Sequence, residues 1–221
     1  VVFFDDLGPG NGVGFTTSET FGSDPFDPQS IAVVDDSTFL LAYHGITTNN
    51  PDHQARVVVG RADGTFGVPA SLGTEHRTTN PHVAVVNDNT AAVVYLETPS
   101  LTGDSVTQLR LVAIGADSSV ELGEIASEAL IVAPIGIAPL TTDLFVVLLN
   151  DDGDRILQLW TNADGALGMI GELNLRASQF GNALSVEQLS DSKFMVFSSF
   201  GAVFIDTEPV PAVLRLLDTV D

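Results

Sequence analysis

Apolar residues in this chain fall in short runs parted by polar turns, and the runs recur at a fixed spacing. The segment Ile31-Ala32-Val33-Val34-Asp35-Asp36-Ser37-Thr38-Phe39-Leu40-Leu41-Ala42-Tyr43 aligns without a gap on Val83-Ala84-Val85-Val86-Asn87-Asp88-Asn89-Thr90-Ala91-Ala92-Val93-Val94-Tyr95, 52 residues further on. A third copy starts at Ile137 and a fourth at Val186, displaced by 54 and then 49 residues. Self-similarity at roughly 20–50 residues marks repeat architectures, in which each repeat is one supersecondary unit that buries its apolar face only against its neighbours.

Within a copy, an apolar run, a turn of Asp, Asn, Ser or Thr, and a second apolar run predict a β-hairpin. A third strand is predicted at 54–61, 108–115 and 155–161. Turns follow at Ala62-Asp63-Gly64, Ala116-Asp117-Ser118 and Ala163-Asp164-Gly165, where Asp-Gly supplies the positive φ of a tight hairpin, and a fourth strand can follow each turn. Four antiparallel strands per unit of ~50 residues is the period of a propeller blade, so the predicted fold is all-β, a β-propeller. Helix competes poorly. Val, Ile, Thr and Phe fill the runs, β-branched residues favour strands, and only 127–131 leaves room for a short helical turn.

The chain from 1 to 221 reads as a single propeller domain, with units at about 27–78, 79–128, 129–178 and 179–210. Its two ends predict a fifth. If Asp221 is imagined joined to Val1, the string from Leu214 through Asp221 to Phe4 falls on 31–42 without a gap. Residues 211–221 together with 1–26 would then share one blade, which removes the exposed edges of an open ring. The alternative is four blades, or a fragment of a larger propeller, with 213–217 as the outer strand of the fourth unit. The terminal strand donated to a neighbour would instead give a homo-oligomer or a head-to-tail filament.

Composition changes the picture by exclusion. At 44% hydrophobic and 17% charged residues, the chain can bury a core and is not a disordered acidic tail. Acidic residues number 29 against 8 basic, a formal charge of -21 that repels phosphate backbones, so no nucleic acid is expected as a partner. The absence of cysteine excludes a disulfide scaffold, thiolate metal sites and a Cys nucleophile. The longest apolar run, 129–140, is interrupted by Pro134 and Pro139 and falls well short of the ~20 residues of a spanning helix, so no membrane span is expected. An opening of Val-Val-Phe-Phe without Met or a basic segment predicts a processed mature protein or a piece of a longer one. With Lys193 the sole lysine, the Asp-rich surface stays soluble through self-repulsion and suits salty or calcium-bearing surroundings. No Asn-x-Ser/Thr sequon occurs, while the pairs Thr16-Thr17, Thr47-Thr48 and Thr78-Thr79 leave O-linked glycan open.

The units 30–43, 55–60 and Thr65-Phe66-Gly67, with 82–95 for the second copy, resemble the tandem propeller-type repeats of large secreted and cell-surface proteins of bacteria and algae. Residues 1–6, Asn11-Gly12 and Phe21-Gly22-Ser23 look like a further copy entered in its middle. The third and fourth copies depart from the pattern, with Leu149 and Ser198 where Tyr stands. The resemblance covers most of the chain, and its motifs are structural punctuation. It implies an extracellular or cell-surface adhesive, binding or scaffold module, and no catalytic residues.

Candidate chemistry is sparse. Asp24-Pro25 and Asp27-Pro28 precede the first inner strand, a placement similar to that of the catalytic Asp in five-bladed glycosidases. Asp27 would be the base or nucleophile, and no Glu stands out as the acid. Against this, X-Pro simply opens a strand, and Asn80-Pro81 holds the same repeat position without a carboxylate. Asn150-Asp151-Asp152-Gly153-Asp154 gathers oxygen ligands that could hold calcium through Asp151, Asp152 and Asp154, although the same string is a good turn and lacks EF-hand spacing. Asp5-Asp6 and Asp35-Asp36 are weaker versions of the same choice.

Tyr43 and Tyr95, at matching positions, could form an aromatic platform for a sugar or pack between adjacent blades; Trp160 is expected in the core. The histidines His44, His53, His76 and His82 show no metal-ligand spacing, no Gly-x-Ser-x-Gly elbow is present, and Gly8-Pro9-Gly10-Asn11-Gly12 reads as a loop. The expected function is thus a non-catalytic extracellular propeller acting as a structural or adhesive scaffold. Its partners would be other protein subunits or surface glycans, with no required cofactor. A lectin-like carbohydrate-binding propeller is the second expectation and a five-bladed glycosidase the third.

Overall fold

The computed structural model describes residues 2–6, 13–18, 30–47, 50–73, 77–98, 104–127, 132–151, 154–175, 183–198, 201–209 and 212–220. Strands β1 (Val2–Asp6) and β2 (Val13–Ser18) pair antiparallel as a two-stranded sheet. Four sheets of four antiparallel strands follow, each in simple chain order. The first blade holds β3 (Ser30–Asp35), β4 (Thr38–Thr47), β5 (Asn50–Arg61) and β6 (Ala70–Ser71). The second holds β7 (Arg77–Asn87), β8 (Thr90–Thr98), β9 (Val106–Ile114) and β10 (Val120–Ser127). The third holds β11 (Ala133–Pro139), β12 (Leu144–Asp151), β13 (Asp154–Thr161) and β14 (Gly168–Leu175). The fourth holds β15 (Ala183–Ser190), β16 (Lys193–Ser198), β17 (Gly201–Pro209) and β18 (Ala212–Val220). Among the described residues the fold is all-β, with four propeller blades.

Turn chemistry sets the punctuation. Asp35 Oδ1 accepts from the backbone N–H of Ser37 at 2.7 Å, and its repeat partner Asn87 does the same with Asn89 at 3.1 Å. After the third strands, Asp63 Oδ1 accepts from Thr65 N–H at 2.9 Å and Asp117 Oδ1 from Ser119 N–H at 3.1 Å. Gly64 and Gly165 take φ of 87° and 76°, as a tight turn requires, and Ser118 adopts 67° at the corresponding place. A single 3-10 turn falls here, at Ala163–Gly165; of the expected helical turn at 127–131, Ser127 is the last residue of β10 and the rest lies outside the described residues. Among the described residues, no helix is long and apolar enough to cross a membrane.

Continuous buried runs, not alternating ones, mark β4, β8, β12 and β13, because both faces of these middle strands are covered. Leu40, Ala42, Val57 and Val59 of the first blade bury against Val83, Val93 and Tyr95 of the second. Ala92, Val94 and Leu109 of the second meet Phe145, Val147, Ile156 and Trp160 of the third, so Trp160 is in the core as expected. Leu148, Leu157 and Leu159 of the third meet Phe194, Val196 and Ile205 of the fourth.

The shared terminal blade is corrected by the strand order. β18 pairs with β17 in the register Ala202↔Val220 to Pro209↔Ala212, completing the fourth blade, while β1 takes β2 as its neighbour. The end-to-end match of Leu214–Phe4 on 31–42 follows from an apolar alternation that any half-buried strand presents, and alternation does not specify which neighbour a strand takes.

Candidate functional site

The first strand of each blade is the innermost. β3, β7, β11 and β15 together line a central channel of about 410 Å³. Its wall mixes aliphatic side chains of Ile31, Val33, Val83, Ile135, Ile137 and Val186 with polar groups from the backbone and from Ser30, His82, Ser185, Glu187 and Gln188, and the exposed lining is more polar than apolar. A concavity on which several elements converge polar groups is the default place for a ligand, so the channel is the candidate site.

Most of these polar groups reach across to a neighbouring blade. Ser30 Oγ, on the first blade, accepts from the backbone N–H of Val83 on the second at 3.1 Å. His82, its repeat partner on the second blade, donates a ring N–H to the carbonyl of Pro134 on the third, which can only accept. Burial is the larger influence on His82 and holds its imidazole below the usual value, with the Pro134 carbonyl offsetting part of the effect. Gln188 Nε2, on the fourth blade, donates to the Leu140 carbonyl on the third at 2.8 Å.

Further out the pattern repeats. Ala55 N–H donates to Thr78 Oγ1, Thr107 Oγ1 donates to the Val132 carbonyl, and Arg61 reaches Ser118 Oγ at 2.7 Å and the Ala116 carbonyl at 2.8 Å.

Tyr95 is fully buried between the first two blades, and its Oη donates to the Leu72 carbonyl at 3.0 Å. Burial, then the nearby Glu97 carboxylate, push its hydroxyl up to about 12, with Arg110 opposing. Tyr43 is buried with Phe39, Leu41 and Val58 on the far face of the first blade, and burial raises its hydroxyl as well. Neither ring offers an open face for stacking a sugar as it sits; both pack within the core.

Asp151 and Asp154 are the last register pair of β12 and β13, one on each side of a hairpin turn. Asp152 lies outside the described residues, as do Asp24 and Asp27. Asn80, which precedes Pro81 as Asp27 precedes Pro28 but lies one residue off the 52-residue register of the aligned runs, sits at φ 51° in the irregular start of β7, a left-handed position that Asn tolerates well. Asp35 is engaged in its turn. His44 is buried, His53 lies in β5, and His76 falls outside the described residues. Among the described residues, no three of His, Asp or Glu gather as a metal site would require.

Sequence reasoning passed over Ser30, Gln188 and Glu187. A usable signal existed for one of them. Ser30, His82, Gly136 and Ser185 each stand immediately before the aligned apolar run, a register that places all four positions on the channel wall.

No protein-family model and no curated protein matches this sequence. Among solved structures the chain is similar to an ulvan lyase, described as a new family of polysaccharide lyase, with a TM-score of 0.52 and 12% identity over 98% of this chain. It spans 60% of the length of that lyase. At such identity the likeness is one of fold.

Proposed function

We propose that this chain is a non-catalytic propeller module serving as a rigid structural or adhesive scaffold at the cell surface or in the extracellular space, with other protein subunits or surface glycans as partners. The observation that supports this reading most is the use of the channel's polar side chains. Ser30, His82 and Gln188 each bind the backbone of an adjacent blade, so groups that an enzyme would aim at a substrate here join sheets. The strongly acidic surface suits an exposed module in salty surroundings.

A second reading, carbohydrate binding, is favoured by the channel and by the fold likeness to a lyase that acts on polysaccharide. Catalysis through Asp27 is the third, and the Asn80-Pro81 pair, which opens the second inner strand in the same way without a carboxylate, weighs against it.

Glycan-array binding, together with hydrolysis of aryl glycosides by the parent and by Asp27→Asn, separates the three. The scaffold reading expects no retained glycan and no hydrolysis. A retained glycan without turnover supports the lectin, and turnover abolished by Asp27→Asn supports the glycosidase.

A further inference from the structure

The innermost strands turn alternate side chains to opposite sides. On β3, Ala32 and Val34 pack into the core between the first and second blades, so Ile31 and Val33 face away from the second blade, and they are 57% and 72% exposed. On β15, Val186 packs into the core between the third and fourth blades, so Glu187 faces away from the third blade, and it too is exposed. All three line the central channel. The side of the channel between the fourth and first blades thus carries two bare aliphatic side chains and a carboxylate. At the repeat position of Glu187 the other blades hold Ala32, Ala84 and Ala138, so the blade pattern itself does not call for an acid here.

Hydrogen-bonding capacity on this wall is lopsided. The Val83 N–H is taken by Ser30 Oγ, the His82 ring N–H by the Pro134 carbonyl, and Gln188 Nε2 by the Leu140 carbonyl. Pro139 has no N–H at all. What these bonds leave is mostly accepting capacity: the second nitrogen of the His82 imidazole, the amide oxygen of Gln188 and both oxygens of Glu187, while the hydroxyls of Ser30 and Ser185 serve either way. Among the described residues the wall holds one carboxylate, neither Lys nor Arg, and no Phe, Tyr or Trp on which a sugar ring could stack. A cleft lined by one sign of charge, in a chain of net charge -21, concentrates cations and repels anions.

We propose that the channel binds a primary ammonium group carried on a short aliphatic body, with the ammonium on Glu187 and the aliphatic part on Ile31 and Val33. An ammonium has three donors and no acceptor, which matches a wall whose own donors are engaged. Its bond to a carboxylate is charge-assisted and roughly twice as strong as a neutral one. A cavity of about 410 Å³ is of the size that holds small molecules. Carboxylated or sulfated ligands are excluded by the same charge. A free alkylamine and a lysine side chain of another chain present the same chemistry. The inference goes beyond the scaffold reading, since the bonds that join the blades stand whether or not the channel is filled.

The test titrates the full chain, at fixed ionic strength, with hexylammonium, hexan-1-ol and hexanoate, read by ligand-observed NMR. Hexylammonium should bind saturably, hexan-1-ol about tenfold more weakly or worse, and hexanoate not at all. Glu187→Gln, at an exposed position and checked for an unchanged melting temperature, should weaken hexylammonium by about tenfold or more, as loss of a charge-assisted bond requires. Val33→Ser should narrow the advantage of hexylammonium over methylammonium, because it removes apolar contact and leaves the carboxylate. Glu121→Gln, which removes an exposed carboxylate from the outermost strand of the second blade, should change nothing, and so separates the channel from the overall charge. Nα-acetyl-lysine amide distinguishes the sources: binding tighter than that of hexylammonium supports a lysine of another chain, and weaker binding supports a free amine. Absence of saturable hexylammonium binding, equal binding of hexanoate, or equal effects of Glu187→Gln and Glu121→Gln overturns the proposal.

Discussion

Removing one buried hydroxyl, by Tyr95→Phe, is predicted to lower stability at neutral pH and to have no such effect in alkali. The Tyr95 Oη donates to the Leu72 carbonyl at 3.0 Å, and the same carbonyl accepts from Arg110 Nη1 at 2.9 Å. Phenylalanine therefore leaves no orphaned acceptor and keeps the ring in place, so the loss is that of an ordinary hydrogen bond, about 1 kcal/mol.

The pH dependence has a definite sign. Folding raises the Tyr95 hydroxyl from 10.0 to about 12, so the neutral form belongs to the folded state. The linked stabilisation is fully present below pH 10 and is lost as pH rises toward 12, reaching roughly 1.4 kcal/mol by about pH 11. Phenylalanine cannot ionise and loses nothing. Tyr43, the other tyrosine, is present in both proteins and cancels.

Urea unfolding of parent and variant near pH 7 and pH 11 reads the difference directly. The variant should be about 1 kcal/mol less stable at neutral pH and equal or slightly more stable in alkali. An unchanged gap at both pH values, or a tyrosinate absorbance titration of the folded parent centred on the ordinary value, refutes the reasoning.

Leu148→Ala, at a fully buried position between the third and fourth blades, should cost about 2–5 kcal/mol by thermal or urea unfolding, because a cavity adds to the lost transfer energy. Gly60→Ala should cost about 1–3 kcal/mol, since the new Cβ would collide with the Phe39 and Phe66 rings, which pack edge to face with centroids 5.8 Å apart. The Asp63 and Asp117 carboxyls should titrate below the ordinary aspartate value in an NMR titration, held there by the hydroxyl and N–H groups of Thr65 and Ser119; their contribution is present above the ordinary value and lost as pH falls through the lowered one. Calcium and EGTA should both leave the melting temperature unchanged if Asp151 and Asp154 only flank a turn, and a calcium-dependent rise would assign them to a binding loop.

The blades were legible in the sequence because two kinds of signal agree locally. Asp63-Gly64 fixes a turn through a short acceptor and a positive φ, and the runs at 39–43 and 91–95 are apolar without interruption because middle strands are covered on both faces. Ser118 carries the same turn without glycine, and only its repeat position revealed it. Partner choice was not legible. Residues 212–220 alternate in a way that suits the edge of β1 as well as that of β17, and the pairing observed follows from the short connection after β17. The channel groups were hidden for a different reason: Ser30 and His82 are ordinary residues whose role depends on the backbone of the next blade, more than 50 residues away.

The claim that the channel's polar groups join blades is tested most directly by making Ser30→Ala and His82→Ala. For each, unfolding free energy is measured beside depolymerisation and binding of a panel of acidic and neutral polysaccharides that includes ulvan. The account predicts that both variants lose stability, by about 1 kcal/mol for the single bond from Val83 N–H, and that the parent neither cleaves nor binds any polysaccharide through the channel. A parent that depolymerises one of them, with His82→Ala abolishing the activity at unchanged stability, would contradict it.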